Sequence, residues 1–266
     1  EWLNVFEFWE KTMHSNSDHL VPGYAYLTRR DFFALKDGGQ LTDPVVNEIG
    51  IRIAATYPQA AVLGTDFLVK MATPGTRGFA RPAYWTKRFG NDAALGTVVQ
   101  FVIAPHHVPG HWCLAIADLH AGNLTYFDSS PPCGLTHKPR ALRALSDYVM
   151  QVDREQEQQK DASSNVQHEQ IHASTFNQVY QTKPDQPDGV SCGVCILMMT
   201  EHIAQGRFYD EPAGHFTAHE VACFRARLAC VLLHSPELNG AEGVALARRR
   251  ADNSTIEIDV IDLVSQ

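Results

Sequence analysis

Apolar positions along the chain change period from block to block. Behind Asp43-Pro44, an N-cap followed by a proline in the first helical position, Val45, Ile49 and Ile53 recur at helical spacing and predict a helix over about 44–56. Residues 97–104, Thr-Val-Val-Gln-Phe-Val-Ile-Ala, form a mostly apolar run and read as a buried strand ended by Pro105. His111 to Ala117 and Leu124 to Phe127 read as two more strands, joined by the Ala121-Gly122-Asn123 turn, and the three make the centre of a small sheet. Residues 141–158, rich in Leu, Arg, Glu and Gln, predict a helix, and the polar stretch 156–170 predicts a surface loop or partly disordered insertion. A short strand near 175–180 leads into the Pro184 to Gly189 turn, after which Cys192 to Ala204 is apolar enough for a buried helix. Thr217 with Glu220 forms a capping box that opens a last helix through Phe224, Leu228 and Leu232, closed by Pro236.

The two ends read differently. Trp2-Leu3, Phe6 and Trp9 suit one face of a short helix in an N-terminal arm over 1–24, and from 236 the chain turns to Asn, Gly, Ala and Arg as a tail outside the core. No internal repeat is visible.

Composition narrows the possibilities. A chain of 266 residues, 44% hydrophobic and 20% charged, holds one large globular domain or two small ones. No apolar run reaches the ~18 residues of a membrane span, so a soluble protein is expected. The formal charge of −8, with Arg248-Arg249-Arg250 the one basic run, argues against nucleic acid as a partner. Six cysteines, at 113, 133, 192, 195, 223 and 230, are too sparse and uneven for a secreted disulfide framework. A reducing compartment is expected. The chain opens at Glu1 with no signal-peptide pattern and is expected to be a piece of something longer.

The chemistry concentrates in four residues. His111 begins one strand and Asp128 ends the next, so a hairpin turning near 121 brings them to one end of the sheet, within two residues of opposite each other. That is how a carboxylate comes to orient an imidazole. Cys192 follows the Pro187-Asp188-Gly189 turn and opens a helix, where unpaired N–H groups and the dipole favour thiolate. Gln186, six residues earlier, can point an amide N–H at a developing oxyanion, with the Cys192 backbone N–H as second donor. Singly, each has a plainer role: a half-buried strand histidine, a turn-forming aspartate, a surface glutamine, a packed cysteine. Together they fill the four roles of a cysteine hydrolase.

The strings His111-Trp112-Cys-Leu-Ala-Ile, Tyr126-Phe127-Asp128-Ser129, then Gln186 and Ser191-Cys192-Gly193, closely resemble the catalytic segments of the Ulp/SENP family of SUMO-specific cysteine proteases. Leu27-Thr-Arg-Arg-Asp31 through Leu41-Thr-Asp43 to Asn47, Tyr84-Trp85-Thr-Lys-Arg88, and Phe224-Arg-Ala-Arg227 are similar to further family segments, so the resemblance covers about 25–235. It implies an α+β fold of the papain-like type, a small central mixed sheet flanked by helices, and a monomer that needs no cofactor or metal. It also implies a narrow tunnel for a Gly-Gly tail, passable because glycine lacks a Cβ. Trp112 matches one ring of that tunnel, and Asp43, Ser191 and Gly193 match its neighbourhood. Gln40 stands where the family has the other tryptophan, which puts the closure of the tunnel and the choice of modifier in question.

Cys192-x-x-Cys195 superficially suggests a redox or zinc pair, but no thioredoxin-like strand precedes it and no second cysteine pair sits at ligand distance. His106-His107 read as loop residues. In the tail, Ile258 to Val264, with Val260, Ile261, Leu263 and Val264 as its apolar positions, looks like a SUMO-interacting strand, or is an ordinary terminal strand. The expected activity is a thiol isopeptidase and C-terminal hydrolase acting after Gly-Gly of a ubiquitin-like modifier, SUMO first. Ubiquitin or the cullin-linked modifier as substrate, acyl transfer on the same triad, and a catalytically weak SUMO-binding module are the rivals.

Overall fold

The computed structural model describes residues 26–35, 38–72, 98–159, 176–208 and 214–234. The expected N-terminal arm, Trp85 and its neighbours, most of the polar stretch 156–170, Pro236 and the whole tail with Val260, Ile261, Leu263 and Val264 lie outside them.

In chain order the elements are α1 (Arg29–Phe33), α2 (Asp43–Thr56), β1 (Ala60–Val62), α3 (Phe67–Ala72), β2 (Phe101–Val108), β3 (His111–Asp118), β4 (Asn123–Phe127), α4 (Lys138–Gln159), β5 (Asn177–Gln181), α5 (Cys192–Ala204) and α6 (Ala218–His234). The five strands form one sheet in sequence order. Its centre is antiparallel, β2 with β3 and β3 with β4, whereas β1 runs parallel to β2 and β5 parallel to β4. The sheet is therefore mixed and the class α+β, as expected from the resemblance.

Every position of β3 is buried, so both of its faces are covered, and this is why its sequence is continuously apolar instead of alternating. Helices α4 and α5 both pack against it. Helix α5 buries ten of its residues, from Cys192 to Ala204, and also meets α2, β2 and α6. A Cβ at Gly50 of α2 would lie 2.9 Å from the Val62 side chain, so this glycine lets the helix sit close on β1.

Three local expectations are corrected. Strand β2 is not ended by Pro105 but runs on through His106, His107 and Val108, paired with β3 throughout. The reason is that β1 pairs only with 101–103, which leaves the other edge of β2 open where the missing N–H of Pro105 is not required. His106 and His107 are consequently strand residues, not loop residues. At the start of α2 the N-cap is Thr42, one residue earlier than expected; its hydroxyl bonds Asp31 at 2.7 Å, and Pro44 occupies the second helical position. The capping box of α6 matches expectation: Thr217 Oγ1 accepts from the Glu220 N–H at 3.1 Å, and Glu220 Oε2 accepts from the Thr217 N–H at 2.8 Å.

Candidate active site

The β3–β4 pairing sets the geometry at one end of the sheet. Leu114 faces Phe127, and one more step of the same register puts Asp128 across from Cys113, two residues from His111. His111 Nε2 lies 2.7 Å from Asp128 Oδ1, with the carboxylate fully buried. Three other donors saturate that carboxylate: the Ser130 N–H at 3.0 Å, the Gly134 N–H at 2.8 Å and the Tyr180 hydroxyl at 3.0 Å. Burial alone would raise the Asp128 pKa; the four donors outweigh it and hold the carboxyl below its usual range. A carboxylate so engaged stays charged and cannot swing away from the ring.

Burial pushes His111 down, but the bond to Asp128 outweighs it, and the ring also engages the Cys113 and Cys192 thiols, so its pKa rises well above the ordinary value. The protonated form of the ring is thereby favoured, which makes it a strong base beside two cysteines.

Cys192 is the first residue of α5 and 1% exposed. The preceding Ser191 is the N-cap by position, yet its side chain does not cap the helix. Its hydroxyl goes instead to Asp188 Oδ2 at 2.7 Å, while Asp188 Oδ1 accepts from the Val190 and Ser191 N–H groups at 2.8 and 2.7 Å. Burial works against the Asp188 charge, but those bonds and the Arg225 charge win and lower its pKa. Arg225 pins the same loop from α6, donating to Ser191 Oγ at 3.2 Å and to the Ala34 carbonyl at 3.0 Å. The first turn of α5 thus presents N–H groups that no side-chain cap consumes, an end suited to a developing anion. One turn further on, Cys195 is buried and its thiol is pushed up by that burial, a different environment from that of a redox partner.

Gln186 is tied to the segment after β4. Its N–H donates to the Ser129 carbonyl at 2.9 Å, its Oε1 accepts from Ser129 Oγ at 2.9 Å, and its Nε2 donates to the Asp188 carbonyl. The side chain is therefore oriented with its amide nitrogen toward the Cys192 loop.

Trp112 is 2% exposed, donates its Nε1–H to the Leu41 carbonyl at 3.0 Å, and carries the His107 ring stacked on it at 4.5 Å. Gly193 completes the junction: a Cβ there would lie 2.9 Å from Leu41 Cβ and 3.2 Å from Trp112 Cδ1. The structure thus brings together Trp112, Gly193 and the segment just before α2. Gln40 and Asp43 flank Leu41 in that segment and are exposed. His106 belongs to a second layer, with Nδ1 2.8 Å from the Tyr126 hydroxyl and a pKa lowered to about 4 by burial and by His137 and its neighbours.

Ligand atoms of His111, Cys113 and Asp128 lie within 4.8 Å of one another. With both carboxylate oxygens already engaged by the four donors, they are not arranged as an open metal site. All six cysteines are free thiols.

Sequence reasoning missed Tyr180, Ser129, Arg225 and the Leu41 carbonyl as members of this cluster. Tyr180 reaches Asp128 because β5 pairs in parallel with β4 and sets Tyr180 opposite Tyr126, a pairing without a local sequence signal. The Pro187-Asp188-Gly189 turn was visible, but the hydroxyl-to-carboxylate bond within it was not.

Residues 42–232 match the model of the Ulp1 protease family, C-terminal catalytic domain. The chain is 25% identical over 213 residues to sentrin-specific protease 2 of Homo sapiens, covering 78% of this chain and 32% of that protein. It is 24% identical over 196 residues to ubiquitin-like-specific protease 1 of Saccharomyces cerevisiae, covering 72% and 27%. The chain therefore spans about a third or less of the length of these curated relatives. Among solved structures, it resembles the C-terminal Ulp1 protease domain in complex with Smt3, the yeast ortholog of SUMO, with a TM-score of 0.66 at 20% identity over 86% of this chain and 94% of that one. A Ulp1 structure with the catalytic cysteine oxidised to a sulfinic acid gives 0.67 at 19% identity over 91% and 95%. These two likenesses are likenesses of fold.

Proposed function

The chain belongs to the Ulp1 protease family, and from that premise we propose that it is a thiol isopeptidase and C-terminal hydrolase cleaving after the Gly-Gly end of a ubiquitin-like modifier, SUMO first. One observation carries the reading: an imidazole bonded to a saturated carboxylate at 2.7 Å engages a thiol at the uncapped start of a buried helix.

His111 takes the Cys192 proton, and the thiolate attacks the glycyl carbonyl carbon. The oxyanion is met by the Cys192 N–H and the Gln186 amide, the tetrahedral adduct collapses to a thioester, and His111 returns its proton to the departing lysine amine. Water, deprotonated by His111, then cleaves the thioester and frees the modifier carboxylate and the thiol. Asp128 holds the ring in one orientation throughout and does not itself become protonated. Trp112 and Gly193, against Leu41, line the approach for a tail without Cβ atoms. SUMO as the modifier draws support from the names of the relatives and from the acidic, β-branched run Ile258 to Val264. The exposed Gln40 favours a second reading, in which ubiquitin or the cullin-linked modifier is cut by the same mechanism. An intracellular setting, nuclear or cytoplasmic, suits a chain whose cysteines are free thiols.

The test is to incubate the chain with SUMO, ubiquitin and cullin-modifier probes that carry a C-terminal electrophile. Capture of SUMO at Cys192, lost in Cys192→Ala, is the expected result. Capture of another modifier alone overturns the substrate, and capture of none by a folded chain overturns the activity.

A further inference from the structure

The fully buried, polar residue whose part in this chemistry has no assignment is Ser129. It is 1% exposed, it directly follows Asp128, and it holds Gln186 at two points: its carbonyl accepts from the Gln186 N–H at 2.9 Å and its hydroxyl donates to Gln186 Oε1 at 2.9 Å. A glutamine carboxamide turned by 180° would exchange oxygen and nitrogen. Here the turned state would set Oε1 against the Asp188 carbonyl that now accepts from Nε2, acceptor against acceptor. The Asp188 carbonyl, which can only accept, therefore selects one orientation, and the Ser129 hydroxyl holds it by donating to Oε1, so that both N–H groups lie on the nitrogen on the side of the Cys192 loop. One of them is engaged by Asp188 and the second remains as a donor.

We infer that Ser129 is a positioning residue for the oxyanion donor: it locks the Gln186 amide with its nitrogen forward and couples that amide, through one peptide bond, to the carboxylate that orients His111. This rests on the proposed protease reading. Loops are flexible in general, and a half-buried glutamine side chain has three torsions to fix; the Ser129 carbonyl anchors the Gln186 backbone, and the Ser129 hydroxyl together with the Asp188 carbonyl fixes the side chain before substrate arrives. The lock matters only when charge develops on the substrate oxygen, so it acts on the chemical step and not on modifier binding.

The experiment is steady-state hydrolysis of a fluorogenic C-terminal conjugate of whichever modifier the wild type cuts, with Ser129→Ala, Gln186→Ala and the double variant, each checked for folding by thermal melting. Ser129→Ala should lower kcat about tenfold, part of the ~100- to 1,000-fold expected for losing an oxyanion donor outright, with KM within about twofold. In the Gln186→Ala background the same change should cost little further, because nothing is left to orient. Ser129→Thr, which keeps the hydroxyl, should retain more activity than Ser129→Ala. If Ser129→Ala does not fold, the near-isosteric Ser129→Cys, a weak donor, takes its place under the same criteria. Equal losses in the presence and absence of Gln186, a loss confined to KM, or unchanged kcat in an active enzyme overturn the inference. A wild type that hydrolyses no modifier conjugate overturns the protease reading instead.

Discussion

Replacing Gly134 by alanine tests the site from a residue that takes no part in the reaction. The added Cβ would lie 2.4 Å from Cys113 Sγ, 2.9 Å from Tyr126 Cε1 and 3.1 Å from Asp128 Oδ2. All three of those residues are fully buried, so none can retreat into solvent, and the backbone at 134 must move instead. That displaces the Gly134 N–H from Asp128 Oδ2, a bond now at 2.8 Å. Overpacking of a tight core costs about 1–3 kcal/mol, and a hydrogen bond to a charged group contributes about 1.5–3 kcal/mol. The backbone shift relieves part of the first at the expense of the second, so a net loss of about 2–4 kcal/mol is expected. Urea unfolding of Gly134→Ala beside Gly214→Ala, whose added methyl meets nothing within 4 Å, isolates the steric effect from the general effect of the substitution. With one donor gone, the Asp128 pKa should rise and kcat should fall with it, whereas Gly214→Ala should match the wild type in both. A Gly134→Ala protein within about 0.5 kcal/mol of the wild type and equally active would refute the claim that Asp128 is held by a rigid, close-packed donor set.

Gly193→Ala should weaken use of the modifier tail more than it weakens chemistry, because its methyl would press Leu41 and Trp112 apart from 2.9 and 3.2 Å; KM for a Gly-Gly conjugate should rise several-fold while thiol alkylation of Cys192 is nearly unchanged, and an unaltered KM contradicts the assigned junction. The His111–Asp128 pair also makes stability depend on pH in a definite direction. His111 has a raised pKa in the fold, so its contribution is complete below its ordinary value near 6.5 and is lost as pH rises toward the folded value. Asp128 has a lowered pKa, so its contribution is complete above about 3.8 and is lost only as pH falls below that. The wild type should therefore lose its stability advantage over His111→Gln as pH goes from 7 to 10, measured by denaturant unfolding; a widening gap would reverse the sign and refute the pairing.

What could be read from the chain and what could not divide by sequence separation. His111 and Asp128 were legible as partners because a hairpin is local and its register follows from the position of the Gly122 turn. Cys192 was legible because a turn followed by an apolar run marks a helix start, and α5 has the bounds expected. Short-range signals also gave the α6 capping box. The two parallel pairings, β1 with β2 and β4 with β5, join segments far apart in the chain, and nothing in Ala60 to Val62 or Asn177 to Gln181 announces its partner. Tyr180 on Asp128 depends on the second of these pairings and stayed hidden with it, and the Leu41 carbonyl on Trp112, 71 residues away, is a long-range contact with no local signal either. Pro105 misled for a related reason: a proline ends a strand only where its N–H is needed, and the short β1 that makes it unneeded was not anticipated. Ser191 in place of a functioning cap was invisible because Ser is a good cap by type, and the competing acceptor, Asp188, decides the outcome.

The hairpin that carries His111 and Asp128 closes over 17 residues, whereas Cys192 arrives only after α4 and β5 have been laid down. Short loops close early and distant pieces dock late in folding. The base and its carboxylate are thus brought together by local closure, whereas the thiol joins them only through long-range docking. The seating of α5 against β3 is the long-range contact that completes the site. The site's completeness therefore reports on the long-range packing of the fold, since the cysteine meets the histidine only where α5 and β3 are docked.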